Sequence, residues 1–219
     1  MSRPTRARRR AVLATLALGL MAPGHAAPAE LRALDMSEDG PRVRLTLTAV
    51  LDAPPASVFA VITDYEHLAQ LHRHILESRV VDRIDARTVD VYTRVRGCVA
   101  AVFCRRFARV ERLHERPPEE LRSEVLPAQS DFAYGTVIWR LRPEGGGTLV
   151  AYETEVEPEF WVPKLFGRPL LASFLRRTTI EMIERVEALA LERPAGAGAD
   201  PDPAPAEAAP EGTATGGRP

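Results

Sequence analysis

Lysine is nearly missing from this 219-residue chain: Lys164 is the only one, and every other basic residue is arginine. With so many alanines and prolines, this marks a bias toward GC-rich codons. The 29 basic residues are interspersed with 30 acidic ones, so arginine richness is no sign of nucleic-acid binding. Cysteine is scarce too. Cys98 and Cys104 are the only two, and they lack C-x-x-C spacing. They give too few ligands for a metal clip and do not form the usual redox motif. Ser57 and Ser173 have no nucleophile elbow around them, and "EGGG" at 144–147 lacks the strand-loop-helix context and lysine of a phosphate loop. His67, His72 and His74 lie near Asp64 and Glu66, residue types that serve as zinc ligands. His72 and His74 do not share a helix face, however, so a polar helix end is the favoured reading.

Neither end of the chain carries the pattern of a fold. "MSRPTRARRR" has five arginines and no acid, "AVLATLALGLMA" is an apolar run of twelve, and small residues follow in "PGHAA". This is the order of a secretory signal, and the run is too short for a bilayer span of about 20 residues. Cleavage after Ala26 is expected, leaving 24 basic against 30 acidic residues in a periplasmic or secreted protein. Sec and twin-arginine export both remain open. From Arg193 to Pro219 no large apolar residue occurs, so residues 193–219 read as a disordered tail. Residues 27–192 suit one compact domain.

Within that domain "RVRLTLTAVL" (42–51) alternates as a strand. Val58, Phe59, Ile62, Tyr65, Leu68 and Leu71 then fall at helical spacing, with Asp64 splitting them into two short helices. "ESRVVDRI", "TVDVYTRVRG", "RRFARVERLHE", "LRSEVLP", "GTVIWRLRP" and "TLVAYETEVEP" follow as strands, and "EGGG" is a hairpin signal. Phe107, Val110 and Leu113 are the core candidates of the third of these. From Pro169 to Glu192 the apolar positions Leu171, Phe174, Leu175, Met182, Ile183, Val186 and Leu189 predict one long amphipathic helix. Thr178 and Thr179 lie on its apolar side, and Glu181 and Glu187 fall largely opposite. The class is α+β: a curved antiparallel sheet of about seven strands around a long C-terminal helix, with two short helices after the first strand.

This order resembles the START-like, or SRPBCC, superfamily with its helix-grip fold. More narrowly it is similar to the polyketide cyclase/dehydrase and coenzyme Q-binding subgroup. The resemblance rests on "VLDAPPASVFAVITDYEHLAQLHRHILESRVVDR" (50–83), "FAYGTVIWRLRPEGGGTLVAYETEVEP" (132–158) and the last helix. It implies a cavity between sheet and helix for a lipid, quinone or polyketide-like molecule, with no cofactor. It implies no single reaction. Binding for carriage or sequestration is the leading expectation; a cyclase/dehydrase-type enzyme and a non-catalytic partner-binding adaptor are the alternatives.

The cavity candidates are Tyr92, Trp139, Tyr152, Phe160, Trp161, Phe174, Thr178 and Met182. Tyr92 shares its strand face with Arg94 and Arg96, and Val89, Val91, Thr93 and Val95 occupy the other. Either the valine face meets the helix, or the tyrosine and arginines do. In an exported protein two lone cysteines are most simply a disulfide. Six residues of straight strand span about 20 Å, whereas a disulfide needs Cα atoms within about 7 Å. A hairpin must therefore reverse the chain between Cys98 and Cys104. Its apolar tip, with Val99, Val102 and Phe103, is expected to latch the cavity or touch a membrane surface.

The exported protein, weighed intact without reductant, should be lighter than its reduced form by two hydrogens. Equal masses would remove the disulfide.

Overall fold

In a computed structural model of the chain, residues 29–99, 103–159 and 167–193 are described. The expected leader (1–26), the tail beyond Arg193, and Val102, Phe160 and Trp161 lie outside them. Eight strands form the sheet: β1 (Glu30–Asp39), β2 (Arg42–Leu51), β3 (Ile75–Asp85), β4 (Thr88–Val99), β5 (Phe103–Arg116), β6 (Glu120–Val125), β7 (Phe132–Glu144) and β8 (Gly147–Pro158). Their order is β1-β2-β8-β7-β6-β5-β4-β3, antiparallel throughout. The sheet is curved and unclosed. Helix α1 (Pro55–Ile62) and a 3₁₀ segment (Tyr65–Gln70) join β2 to β3, and α2 (Gly167–Glu192) ends the fold.

The sheet has one strand more than the sequence pattern predicts. β1 is an edge strand whose register slips between Leu31 and Ala33, leaving Leu31 exposed and Leu34 and Met36 facing the core. That bulge breaks the alternation by which a strand is recognised.

Alternation elsewhere sets the two faces. Val43, Leu45, Leu47, Ala49 and Leu51 of β2 point inward and are at most 2 % exposed. Their outward neighbours form cross-strand ion pairs, such as Arg44 with Glu155 at 2.6 Å and Arg42 with Glu157 at 3.0 Å. Slipping a strand by one residue would bury these charges, so the register is strongly specified. On β4, Val89 and Val91 are buried in the core while Arg94 and Arg96 are exposed. Tyr92 shares their outward face, with the Arg79 guanidinium 4.1 Å above its ring. Its expected place in the cavity is therefore wrong: strand parity turns it away from the helix. Val110 likewise lies opposite Tyr92, on the outer face, whereas Leu113 lies opposite the inward Val89.

The predicted hairpin between the cysteines is present. β4 and β5 pair so that Cys98 stands directly opposite Cys104, and Val99 opposite Phe103. Opposed Cα atoms in such a ladder are about 4.5–5.5 Å apart, inside the disulfide range. Val99 and Phe103 thus continue the strands rather than form the loop.

The β7–β8 turn shows why three glycines stand together. Glu144 pairs with Gly147, and Gly145 and Gly146 between them have φ of +60° and +91°, both positive as a type I′ turn demands. Gly147 is required for another reason: a Cβ there would lie 2.1 Å from the Leu51 carbonyl oxygen. Gly147→Ala should therefore destabilise the fold by at least about 2 kcal/mol, read as a lowered urea midpoint. An unchanged midpoint would show that β2 and β8 can separate without cost.

Candidate functional site

Helix α2 seals one end of the inner face firmly. Ile183, Val186, Leu189 and Ala190 are buried there against α1 and the sheet. Glu187, expected on the polar side, is instead 5 % exposed and accepts a hydrogen bond from the Asp52 backbone N–H at 2.8 Å. Burial raises the pKa of its carboxyl, and the backbone donor opposes that rise. Arg193 donates to the Ala60 carbonyl at 2.9 Å and pairs with Asp64. Asp64 is held below the usual carboxylate range by its bonds from Arg193 and His67, which outweigh burial.

Toward the other end of α2 the inner face is less filled. Phe174, Leu175, Thr178 and Met182 are half-buried, as are Val80, Val95 and Val137 on the inner face of the sheet. Trp139 and Tyr152 are buried between the two regions, in edge-to-face contact with centroids 4.7 Å apart. Of the expected cavity residues, these two lie on the inner face of the sheet and Met182 packs against the core, while Phe174 and Thr178 are half-buried along α2. The Thr178 hydroxyl, however, turns back to the carbonyls of Phe174 and Leu175.

Polar side chains interrupt this apolar floor, and sequence reasoning did not single them out. Residues paired across an antiparallel ladder share a face, so Ser78, Thr93 and Arg109 form one row across β3, β4 and β5. One position along β5, Glu111 is 6 % exposed; its Oε1 accepts from the Ser123 hydroxyl at 2.9 Å. Arg109 Nε lies 2.8 Å from Glu111 Oε2 but its N–H is not aimed at that oxygen, so the contact is an ion pair without an aligned hydrogen bond. Tyr152 is affected by both charges. Its phenol is pushed up to about 12, chiefly by burial, while Arg109 and a bond from Thr154 pull it down. One signal was available: in "FARVERL" (107–113) Arg109 and Glu111 occupy the same strand face as Phe107 and Leu113.

The histidines stand where β3 begins, beside α2. The His74 backbone N–H donates to His72 Nδ1 at 3.1 Å. The His72 proton therefore sits on Nε2, which donates to Glu181 at 2.9 Å. This bond, more than any other contact, lowers the Glu181 pKa. His74 stacks on His72 at 4.9 Å and meets the Phe174 edge at 5.1 Å, and both of its ring nitrogens are buried without a hydrogen-bond partner. Burial, with His72 and Arg73 nearby, lowers its pKa. His67 bonds Asp64, and Glu66 accepts from the Val80 N–H, so the sequence cluster disperses to separate partners.

Comparison with known proteins follows the same lines. Residues 42–190 match the family model described as polyketide cyclase/dehydrase and lipid transport. No curated protein matches the chain by sequence. Among solved structures, the Zhui aromatase/cyclase from a Streptomyces species superposes with a TM-score of 0.58 at 16% identity, covering 71% of this chain and 98% of that one. A Thermus thermophilus protein, TTHA0849, gives 0.57 at 18%, covering 68% and 97%. A STAR-related lipid transfer protein from Xanthomonas axonopodis gives 0.55 at 13%, covering 72% and 98%. At these identities the structures share the fold alone.

His74 makes stability depend on pH. Its folded pKa lies below the ordinary value of 6.5, so the unfolded state binds more protons as pH falls. Stability present above that value is lost below it. His74→Phe should flatten the stability curve between about pH 7.5 and 5.5 and add about 1 kcal/mol at neutral pH, since two unpartnered nitrogens disappear. An unchanged slope in urea titrations would place the pH response elsewhere.

Proposed function

The chain belongs to the polyketide cyclase/dehydrase and lipid transport family, and from that premise we propose that it binds a hydrophobic small molecule between the sheet and the first half of α2. The class is a lipid, isoprenoid quinone or polyketide-like molecule, held for carriage or sequestration. One observation carries the reading: apolar side chains on facing surfaces, Phe174, Leu175 and Met182 above and Val80, Val95 and Val137 below, remain half-buried, whereas the inner face of β2 is sealed. A chain that needed only a filled core would close both ends alike.

Export completes the proposal. The leader at 1–26 directs the chain to the periplasm, where Cys98 and Cys104 form a disulfide. The bond holds the apolar hairpin tip around Val102 as a latch over the cavity or as a contact with the membrane surface. The register that sets the two cysteines opposite each other supports this.

A second reading, cyclase- or dehydrase-type chemistry in the same space, is favoured by His74. Burial lowers its pKa and so favours the neutral imidazole, the form that carries a free basic nitrogen. A carrier releases its ligand unchanged, whereas an enzyme converts it.

Protein recovered from a bacterial periplasm and extracted with organic solvent should yield about one equivalent of an apolar compound. Its removal should lower the melting temperature, since a ligand at a hundredfold excess over Kd contributes about 2.7 kcal/mol. Replacing Val102 and Phe103 by serine should slow uptake of that compound. Protein that yields no compound and melts at the same temperature after extraction would contradict ligand binding; unchanged uptake would remove the latch.

A further inference from the structure

The sheet ends at β3 in an edge of unusual composition. Its register against β4 slips three times, and each slip leaves one residue without a Cα partner: Leu76, Val81 and Ile84. These are three of the five large apolar residues exposed among the described residues, between 38 % and 48 %. Edge bulges normally deter a second strand and come with charged side chains; here each one presents an apolar side chain. At Val80 the edge is already occupied, because Glu66 of the 3₁₀ segment accepts from the Val80 N–H at 3.0 Å. From Val81 to Arg87 every residue is exposed.

Charge decides what fits there. Along β3 and its turn the signs alternate strictly: Glu77, Arg79, Asp82, Arg83, Asp85, Arg87. Laid antiparallel on a second copy, such a strip sets every charge against its opposite. Glu77 of one copy meets Arg87 of the other, Arg79 meets Asp85, Asp82 meets Arg83, and Val81 meets Ile84. The two-fold axis then passes between residues 82 and 83. A parallel copy in the same register sets like against like throughout. Exposed opposite charges add little affinity but fix orientation, while Val81 and Ile84 supply apolar burial beside the axis. Asp82 and Arg83 form no ion pair or hydrogen bond with another side chain among the described residues, which leaves the central pair open to a partner. The other edge offers no such match, since β1 carries Glu30, Asp35, Glu38 and Asp39 against Arg32 alone.

We propose that the strip 76–87 is a self-association surface that docks antiparallel on the same strip of a second copy, with Asp82 of each copy against Arg83 of the other. The bulges preclude a long shared backbone ladder, so side chains make the contact. Being isologous, it closes at two copies and does not grow into a filament. A strip of about twelve residues a side is smaller than the roughly 20–30 of a standard interface, so a dissociation constant of about 10–100 μM is expected. The inference is independent of any ligand between sheet and helix.

Analytical sedimentation of the exported protein, from about 1 to about 500 μM, tests it. Wild-type protein should pass from monomer to dimer with no larger species. Asp82→Arg and Arg83→Asp, each at an exposed position, should melt as wild type does. Each should weaken the dimer at least about tenfold, because like charges then face each other across the axis. Mixed in equal amounts, the two variants should associate with each other, since two arginines of one copy then face two aspartates of the other. The double variant Asp82→Arg/Arg83→Asp should dimerise as wild type does. Wild-type protein that stays monomeric at the highest concentration overturns the proposal, whatever else the strip then binds. So does a dimer that survives both single substitutions. Mixed variants that fail to associate also overturn it, because the loss in each was then not one of charge pairing.

Discussion

One long helix, with only the short α1 beside it, has to cover the inner face of an eight-stranded sheet, and together they are too narrow to do so. Eight strands about 4.8 Å apart present a face roughly 34 Å wide, whereas a helix with its side chains is about 10–12 Å across. The chain meets this shortfall unevenly. Helix α1 and the last turns of α2 close over β2, β8 and the lower part of β7, where inner side chains such as Leu45, Ala49, Leu141 and Val150 are almost wholly removed from water. Glu187 and Arg193 fix that end through the backbone of Asp52 and Ala60. The opposite end of α2 has no such clamp among the described residues; its nearest polar tie is the His72–Glu181 bond. The ligand space proposed above thus follows from where the helix is anchored.

The two faces of the sheet treat charge differently. On the outer face, Arg112 grips the buried Asp90 in a bidentate pair, both contacts at 2.8 Å, and so ties β5 to β4 in one register. On the inner face the Arg109–Glu111 pair is largely removed from water, and a hydrophobic replacement there would commonly be as stable or more so. A fold selected for stability alone has no use for that pair, for unpartnered hydroxyls at Ser78 and Thr93, or for the buried ring nitrogens of His74. All of them lie on the inner face of the sheet or at the start of β3, where the His74 ring meets Phe174 of α2.

Much of the architecture was legible in the sequence where periodicity was clean. The valine and leucine alternation of 42–51, the helical spacing of Val58, Phe59 and Ile62, the glycine turn and the apolar stripe of α2 each led to the observed element. Two kinds of feature were not legible. β1 escaped because a bulge shifts its phase and because an edge strand buries few side chains. Glu187 escaped because the partner that brings it inside is a backbone N–H 135 residues earlier. The site was harder still. Tyr92 was counted among the cavity candidates while the orientation of its strand was open; its shared parity with Arg94 and Arg96 turns it outward. Arg109 and Glu111 looked like ordinary alternation until pairing with Val91 and Thr93 showed that their face is the inner one.

The most direct test is amide hydrogen exchange along α2, before and after the exported protein is stripped of its apolar compound. Residues 172–182 should be strongly protected with ligand and exchange much faster without it, while residues 183–192, fixed by Glu187 and Arg193, remain protected in both states. Equal protection along the whole helix in both states would contradict a ligand space beneath its first half.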